Sequence, residues 1–163
     1  MSSAEILEGG TSKVHVNREA GTVEKRLKRK GTQRLANLDT EQAFHQELQA
    51  LVLEVPALAI RVPRLIETGS KYVMELVDTS RPLWEEDVWG KIADPDAVRD
   101  RILAFLKHVG ERGIVLQDVE AYLQADGSIV VLDFGQVHRG SSSGTLSSAT
   151  LLPPSVTEFA SMW

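Results

Sequence analysis

Residues 5–30 alternate as strands do. Ile6 and Leu7 lead into Glu8-Gly9-Gly10-Thr11-Ser12, Lys13-Val14-His15-Val16 alternates, and Glu19-Ala20-Gly21 forms a turn before Thr22-Val23-Glu24-Lys25-Arg26-Leu27. By the period-two rule Val23, Lys25 and Leu27 share a face, which puts a lysine between two apolar residues on the inner side. Either that strand lies at an edge and Lys25 reaches water along its stem, or the amine has a buried partner. Asp39, with Gln42 three residues on, has the form of a capped helix start. Phe44, Leu48, Leu51 and Val52 then recur at helical spacing, Glu47 borders their stripe, and the helix ends before Pro56.

Residues 62–77 read as two strands around Gly69-Ser70, and the second, 72–77, is nearly continuous in apolar character apart from Glu75, as in a strand buried on both faces. Thr79-Ser80-Arg81-Pro82 breaks the pattern and is the predicted hinge between two lobes. A short amphipathic piece around Trp84 and Trp89 follows. Asp94-Pro95 then opens a helix with Val98, Ile102, Phe105, Leu106 and Val109 as its stripe, ended by Gly110 and Gly113. Beyond it, an apolar run (Ile114, Val115, Leu116) precedes Asp118, and a second run (Ile129 to Leu132) precedes Asp133. Asp126-Gly127 lies between them as a hairpin turn, which brings the two carboxylates close together. Residues 139–150 are rich in serine and glycine and read as a flexible tail, and a terminal helix is predicted from Ser155 with Phe159, Met162 and Trp163 as docking residues.

Composition narrows the classes. In 163 residues the 42% hydrophobic and 25% charged content is that of an ordinary globular domain, and the absence of cysteine excludes disulfides, thiolate chemistry and Cys-based zinc sites. The four histidines show no metal-ligand spacing, and His108 reads as a core-edge residue. The basic run Lys25, Arg26, Lys28, Arg29, Lys30 and Arg34 lacks interleaved aromatics, and with a net charge of −5 it reads as a solvated strand end rather than a nucleic-acid interface. No apolar run approaches the roughly 18 residues that span a bilayer, and no signal peptide opens the chain, so the expectation is a cytoplasmic protein without membrane or nucleic-acid partners.

Taken in order, the parts are a Gly-bearing turn between strands, an inward lysine, a helix with a glutamate, a buried strand, a hinge, a long helix, Asp118, a hairpin and Asp133-Phe134-Gly135. That order resembles the protein-kinase-like fold over residues 5 to 138. The resemblance implies an α+β, two-lobed architecture. Residues 1–78 form an N-lobe of antiparallel sheet with one helix at about 40–54, and residues 79–163 form a strongly reduced helical C-lobe with the catalytic hairpin at 114–135. It implies ATP and Mg2+ as ligands, with Lys25 on the α- and β-phosphates and Glu47 orienting it. Gly9, Gly10 and Ser12 resemble the glycine-rich loop. Val14 and Val23 would cover one face of adenine and Leu123 the other. Met74 would guard the back pocket, while the carbonyl of Glu75 and the amide of Val77 would bind the adenine edge. Asp133 would hold magnesium, and Asp118 would accept the proton of the attacking hydroxyl.

Three departures qualify the likeness. Leu116-Gln117-Asp118 lacks the usual histidine of the catalytic loop. Leu123 stands where that loop normally carries a metal-binding asparagine, which leaves Glu120 and Gln124 as candidate replacements. Few residues follow Gly135, so the chain resembles the compact kinases that some bacteria deliver into host cells, whose cytosol would then be its compartment. The first reading is accordingly a minimal protein Ser/Thr kinase acting on a protein substrate. The alternatives are a pseudokinase that binds nucleotide or a partner without turnover, and a small-molecule phosphotransferase of the aminoglycoside and choline kinase type.

Overall fold

The computed structural model describes residues 4–8, 12–27 and 32–140, with side chains at 13–26 and 38–140. Gly9, Gly10, the serine-rich segment from 141 and the terminal helix expected at Ser155 lie outside these residues. Of Ser12 only the backbone is described.

The chain is mixed α+β. Strands β1 (Ala4–Glu8), β2 (Ser12–Asn17) and β3 (Thr22–Leu27) form an antiparallel meander, joined by β5 (Leu65–Glu67) and β6 (Tyr72–Glu75) into one sheet of order β1-β2-β3-β6-β5. Its register sets Val14 against Lys25 and Lys25 against Tyr72, and beside them Val16 against Val23 and Val23 against Met74. Same-face rows across three strands follow from this pairing, and Lys25 lies on an interior strand, not an edge.

Helix α1 (Thr32–Val52) starts well before the expected cap at Asp39. The residues ahead of Asp39 are mostly helix formers, and no breaker interrupts them, so the apparent capping box lies inside a helix already under way. Its Phe44, Leu48, Leu51 and Val52 are buried as the spacing predicts. Gln42, read from sequence as a capping residue, instead docks the helix. Its side-chain oxygen accepts from the Gly69 amide at 2.8 Å and its nitrogen donates to the Gly69 carbonyl at 3.4 Å.

Strand β6 is shorter and less buried than expected, with only Tyr72 fully enclosed, because one of its faces opens onto a cavity rather than a core. A 3-10 turn (Pro56–Leu58) leads into β4 (Ile60–Arg61), which runs parallel to β9 (Ile129–Leu132). β9 in turn pairs antiparallel with β8 (Glu120–Leu123). The hairpin turns at Asp126-Gly127 as predicted, with Gly127 at φ +86° and the Asp126 carboxylate accepting from the Ser128 amide at 2.9 Å. Helices α2 (Glu86–Gly90) and α3 (Pro95–Glu111) flank it, α3 capped by Asp94, whose side chain accepts from the Ala97 amide at 3.2 Å. β7 (Ile114–Val115) pairs with β10 (His138–Arg139).

The main core joins α1 to α2, α3, β4, β7, β8 and β9 around Leu48, Leu83, Ile102, Phe105, Ile129 and Phe134. Among the described residues it takes no member from the five-stranded sheet. Among them, too, no helix is long and apolar enough to cross a membrane.

One side chain fastens the hairpin tip to α3. Arg101 donates to the carbonyls of Leu58 (2.6 Å), Ala59 (3.0 Å) and Gly127 (3.2 Å). Arg101→Met keeps the apolar stem and strands those acceptors, so it is expected to cost about 2 kcal/mol. The readout is a lower urea midpoint with an unchanged slope; an unchanged midpoint would show that solvent serves these carbonyls equally well.

Candidate active site

The five-stranded sheet and the β8–β9 hairpin enclose a cavity of about 860 Å3. Val14, Val23, Lys25, Met74, Glu75, Val77, Asp118, Glu120 and Asp133, all singled out in the sequence, line it.

The Lys25 amine is the centre of the site. Its side chain is 10% exposed, and its Nζ lies 2.5 Å from a Glu41 carboxylate oxygen and 3.3 Å from one of Asp133. Burial alone would push this amine's pKa down, but the two carboxylates outweigh it and leave the pKa raised. The partner on α1 is thus Glu41, and the expectation that Glu47 orients Lys25 is corrected. Glu47 lies six residues further along α1, so it projects from another side of the helix, where it forms an ion pair with Arg139. Glu41 was legible in principle. It stands four residues before His45 and seven before Leu48, both buried, but a helix assumed to start at Asp39 made it a first-turn acid.

Burial pushes the Glu41 carboxyl up against the pull of Lys25, and the Phe134 amide donates to it. The same contact bears on Gly135, where a Cβ would come within 3.3 Å of a Glu41 oxygen and press on the carboxylate. One turn beyond Glu41, His45 is fully buried. Tyr72 Oη lies 2.5 Å from its Nδ1 and the Pro63 carbonyl 2.7 Å from its Nε2, so the ring carries its proton on Nε2 and accepts from the tyrosine. Burial lowers its pKa to about 4, and it remains neutral with its edge set against Phe134 at 5.0 Å between centroids.

Asp118 and Asp133 have φ of +53° and +72°, two of the three positive values at non-glycine residues among the described residues. A regular strand would send Leu132 and Asp133 to opposite faces. The left-handed turn at Asp133 breaks that alternation, so both face the cavity. Backbone held this way costs free energy and is common where a side chain must be aimed.

On β8, Glu120 and Tyr122 share the cavity face, and Tyr122 Oη donates to Glu120 at 2.8 Å. The same parity corrects the expectation for Leu123. It points the other way and packs against the core, and Tyr122 with Leu132 forms the floor in its place. Gln124 does not line the cavity either, and its amide nitrogen donates to the carbonyls of Asp78 (2.9 Å) and Tyr122 (3.4 Å). Burial and the nearby charge of Asp133 raise the Glu120 carboxyl, against the Tyr122 hydrogen bond. At the opposite wall, Glu75 pairs with Arg61 at 2.6 Å and accepts from the Arg64 amide at 2.9 Å. Burial raises its pKa, but these partners more than offset it and the net shift is downward. The Leu76 amide donates to the Gly21 carbonyl, whereas among the described residues the amide of Val77 takes no part in the backbone pairing around it.

Because the Glu120 pKa is raised in the fold, ionising it opposes folding above that pKa and has no effect below the ordinary value of 4.5. Glu120→Gln keeps an acceptor for Tyr122 and loses the charge. It is expected to melt higher than wild type near neutral pH, with the gap closing below pH 4.5. Thermal melts across pH check this, and an advantage that persisted in acid would assign the gain to something other than charge. No protein-family model matches the chain, and no curated protein matches it.

Proposed function

We propose that the chain is a minimal protein kinase of two-lobed, protein-kinase-like architecture, which transfers the γ-phosphate of ATP to a serine or threonine hydroxyl of a protein. The observation that carries this reading is the buried Lys25 amine between Glu41 and Asp133 at the wall of a nucleotide-sized cavity. An ammonium placed there, with open volume in front of it, suits the α- and β-phosphates of a nucleotide.

The remaining lining divides by chemistry. Val14, Val23 and Met74 above, with Tyr122 and Leu132 below, suit the two faces of a flat base, and the Val77 amide is placed to bond its edge. Asp118, exposed in the cavity and fixed by its backbone, is the group to orient and deprotonate the attacking hydroxyl.

The donor set also fits magnesium. Asp133 and Glu120 offer hard oxygens, and the raised pKa of Glu120 marks a carboxylate that a cation would relieve. Among the described residues no three acidic or histidine side chains converge on a metal, so the ion would depend on phosphate oxygens and water for its other ligands. When bound, it neutralises charge on the phosphates. Tyr122, by holding Glu120, takes over part of what the missing asparagine would do.

The absent histidine and asparagine favour a second reading, a nucleotide-binding pseudokinase. The third, a small-molecule phosphotransferase, shares the same cavity and differs in where label goes. Incubation with labelled ATP and Mg2+, alone and with a cell lysate, separates the three. Label on protein that disappears in Lys25→Ala and Asp133→Ala is the expected result. Nucleotide-dependent thermal stabilisation without label selects the pseudokinase, and label confined to small molecules selects the third. Asp118→Ala is expected to lower transfer by about 10²- to 10⁴-fold while still binding ATP. Loss of binding in that variant would contradict its role.

A further inference from the structure

The segment that follows Asp133 runs along α1. Phe134 meets α1 through its amide on Glu41 and its ring on His45. Five residues beyond Phe134, Arg139 meets the next stretch of the same helix. Its guanidinium forms an ion pair with Glu47 and sits over the Phe44 ring at 5.4 Å from the centroid. Arg139 is itself held in place, because β10 pairs with β7 in a register that sets it opposite Ile114.

From this we propose that Arg139 and Glu47 are positioning residues, a clasp that holds α1 at the angle and rotation at which Glu41 reaches Lys25. The proposal deepens the kinase reading, since it concerns how that site is assembled, but the geometry it invokes exists whether or not phosphate is transferred. Helix α1 shares its core with α3 and the hairpin rather than with the sheet that carries Lys25. The Lys25–Glu41 pair therefore joins that core to the sheet, beside the His45–Tyr72 and Gln42–Gly69 hydrogen bonds, and a small rotation of α1 about those contacts would open it.

Pulse acylation of amines, read by peptide mass, tests this through Lys25 itself, with the exposed Lys71 as internal standard. In wild type the paired, 10% exposed Lys25 should label slowly. Glu47→Gln, which loses an exposed ion pair, is expected to raise its labelling relative to Lys71 by up to about fivefold, and Arg139→Ala, which also loses the cation–π contact, by about three- to thirtyfold. Arg139→Lys should fall between wild type and Arg139→Ala. Exchanging the charges, Glu47→Arg with Arg139→Glu, should label less than either single change. Glu54→Gln supplies the control, because Glu54 lies two residues past the end of α1 and forms a comparable exposed ion pair with Arg112. Unchanged labelling in both Glu47→Gln and Arg139→Ala overturns the clasp, and so does an equal rise in Glu54→Gln. A wild-type protein that transfers no phosphate refutes the enzyme while leaving this measurement able to decide.

Discussion

A lysine ammonium that is 10% exposed cannot stand alone, and the structure around it can be understood as the means of surrounding it. Its two carboxylate partners lie 16 and 108 residues away in sequence, so neither arrives by local geometry. Three independent pieces of construction have to agree. The β2–β3–β6 register turns Lys25 inward, the phase of α1 turns Glu41 toward it, and the β8–β9 hairpin ends with Asp133 beneath it. Gly135 completes the arrangement by leaving room for Glu41.

Much of this could be read from residue order. Alternation alone points to the strand of Lys25 and the side it faces, and Asp126-Gly127 points to the hairpin's turn and second strand, although its first strand is Glu120–Leu123 and the apolar run at 114–116 pairs with β10 instead. Both signals are local: a two-residue period and a turn type follow from the chain itself. What was misread depends on phase over longer distances. Glu47 and Glu41 both border the buried stripe of α1, and only the helix's true start and its docking against the sheet select between them. Leu123 was chosen by analogy of position, whereas the strand's own parity, counted from Glu120, already pointed to Tyr122. The strain at Asp118 and Asp133 had no sequence signal beyond the tolerance of aspartate for left-handed backbone.

The electrostatics of the cavity explain why these elements are fastened so firmly. Glu75 is neutralised by Arg61 and Asp78 by Arg81, but Glu41, Asp118, Glu120 and Asp133 line the same cavity as Lys25, whose amine contacts Glu41 and Asp133. Burial and the charge of Asp133 raise Glu41 and Glu120, the carboxylates of Glu41 and Asp133 raise Lys25 against its burial, and all three favour the protonated form. A cavity lined by surplus carboxylate and two strained aspartates is less stable than an apolar one would be, a cost associated with sites built to receive charge.

That cost has to be met by packing elsewhere, and its location is informative. Helix α1 buries Leu48, Leu51 and Val52 against the half of the chain that carries the strained acids, not against the sheet. Gln42 ties it to the turn between β5 and β6, and Glu54, in the turn just past its end, pairs with Arg112. The helix thus belongs to both walls of the cavity at once, and the Lys25–Glu41 contact is the point at which they meet. A ligand carrying negative charge on a divalent ion would relieve the carboxylates and occupy the amine together. Binding should therefore tighten the closure of the two walls as well as fill the space between them.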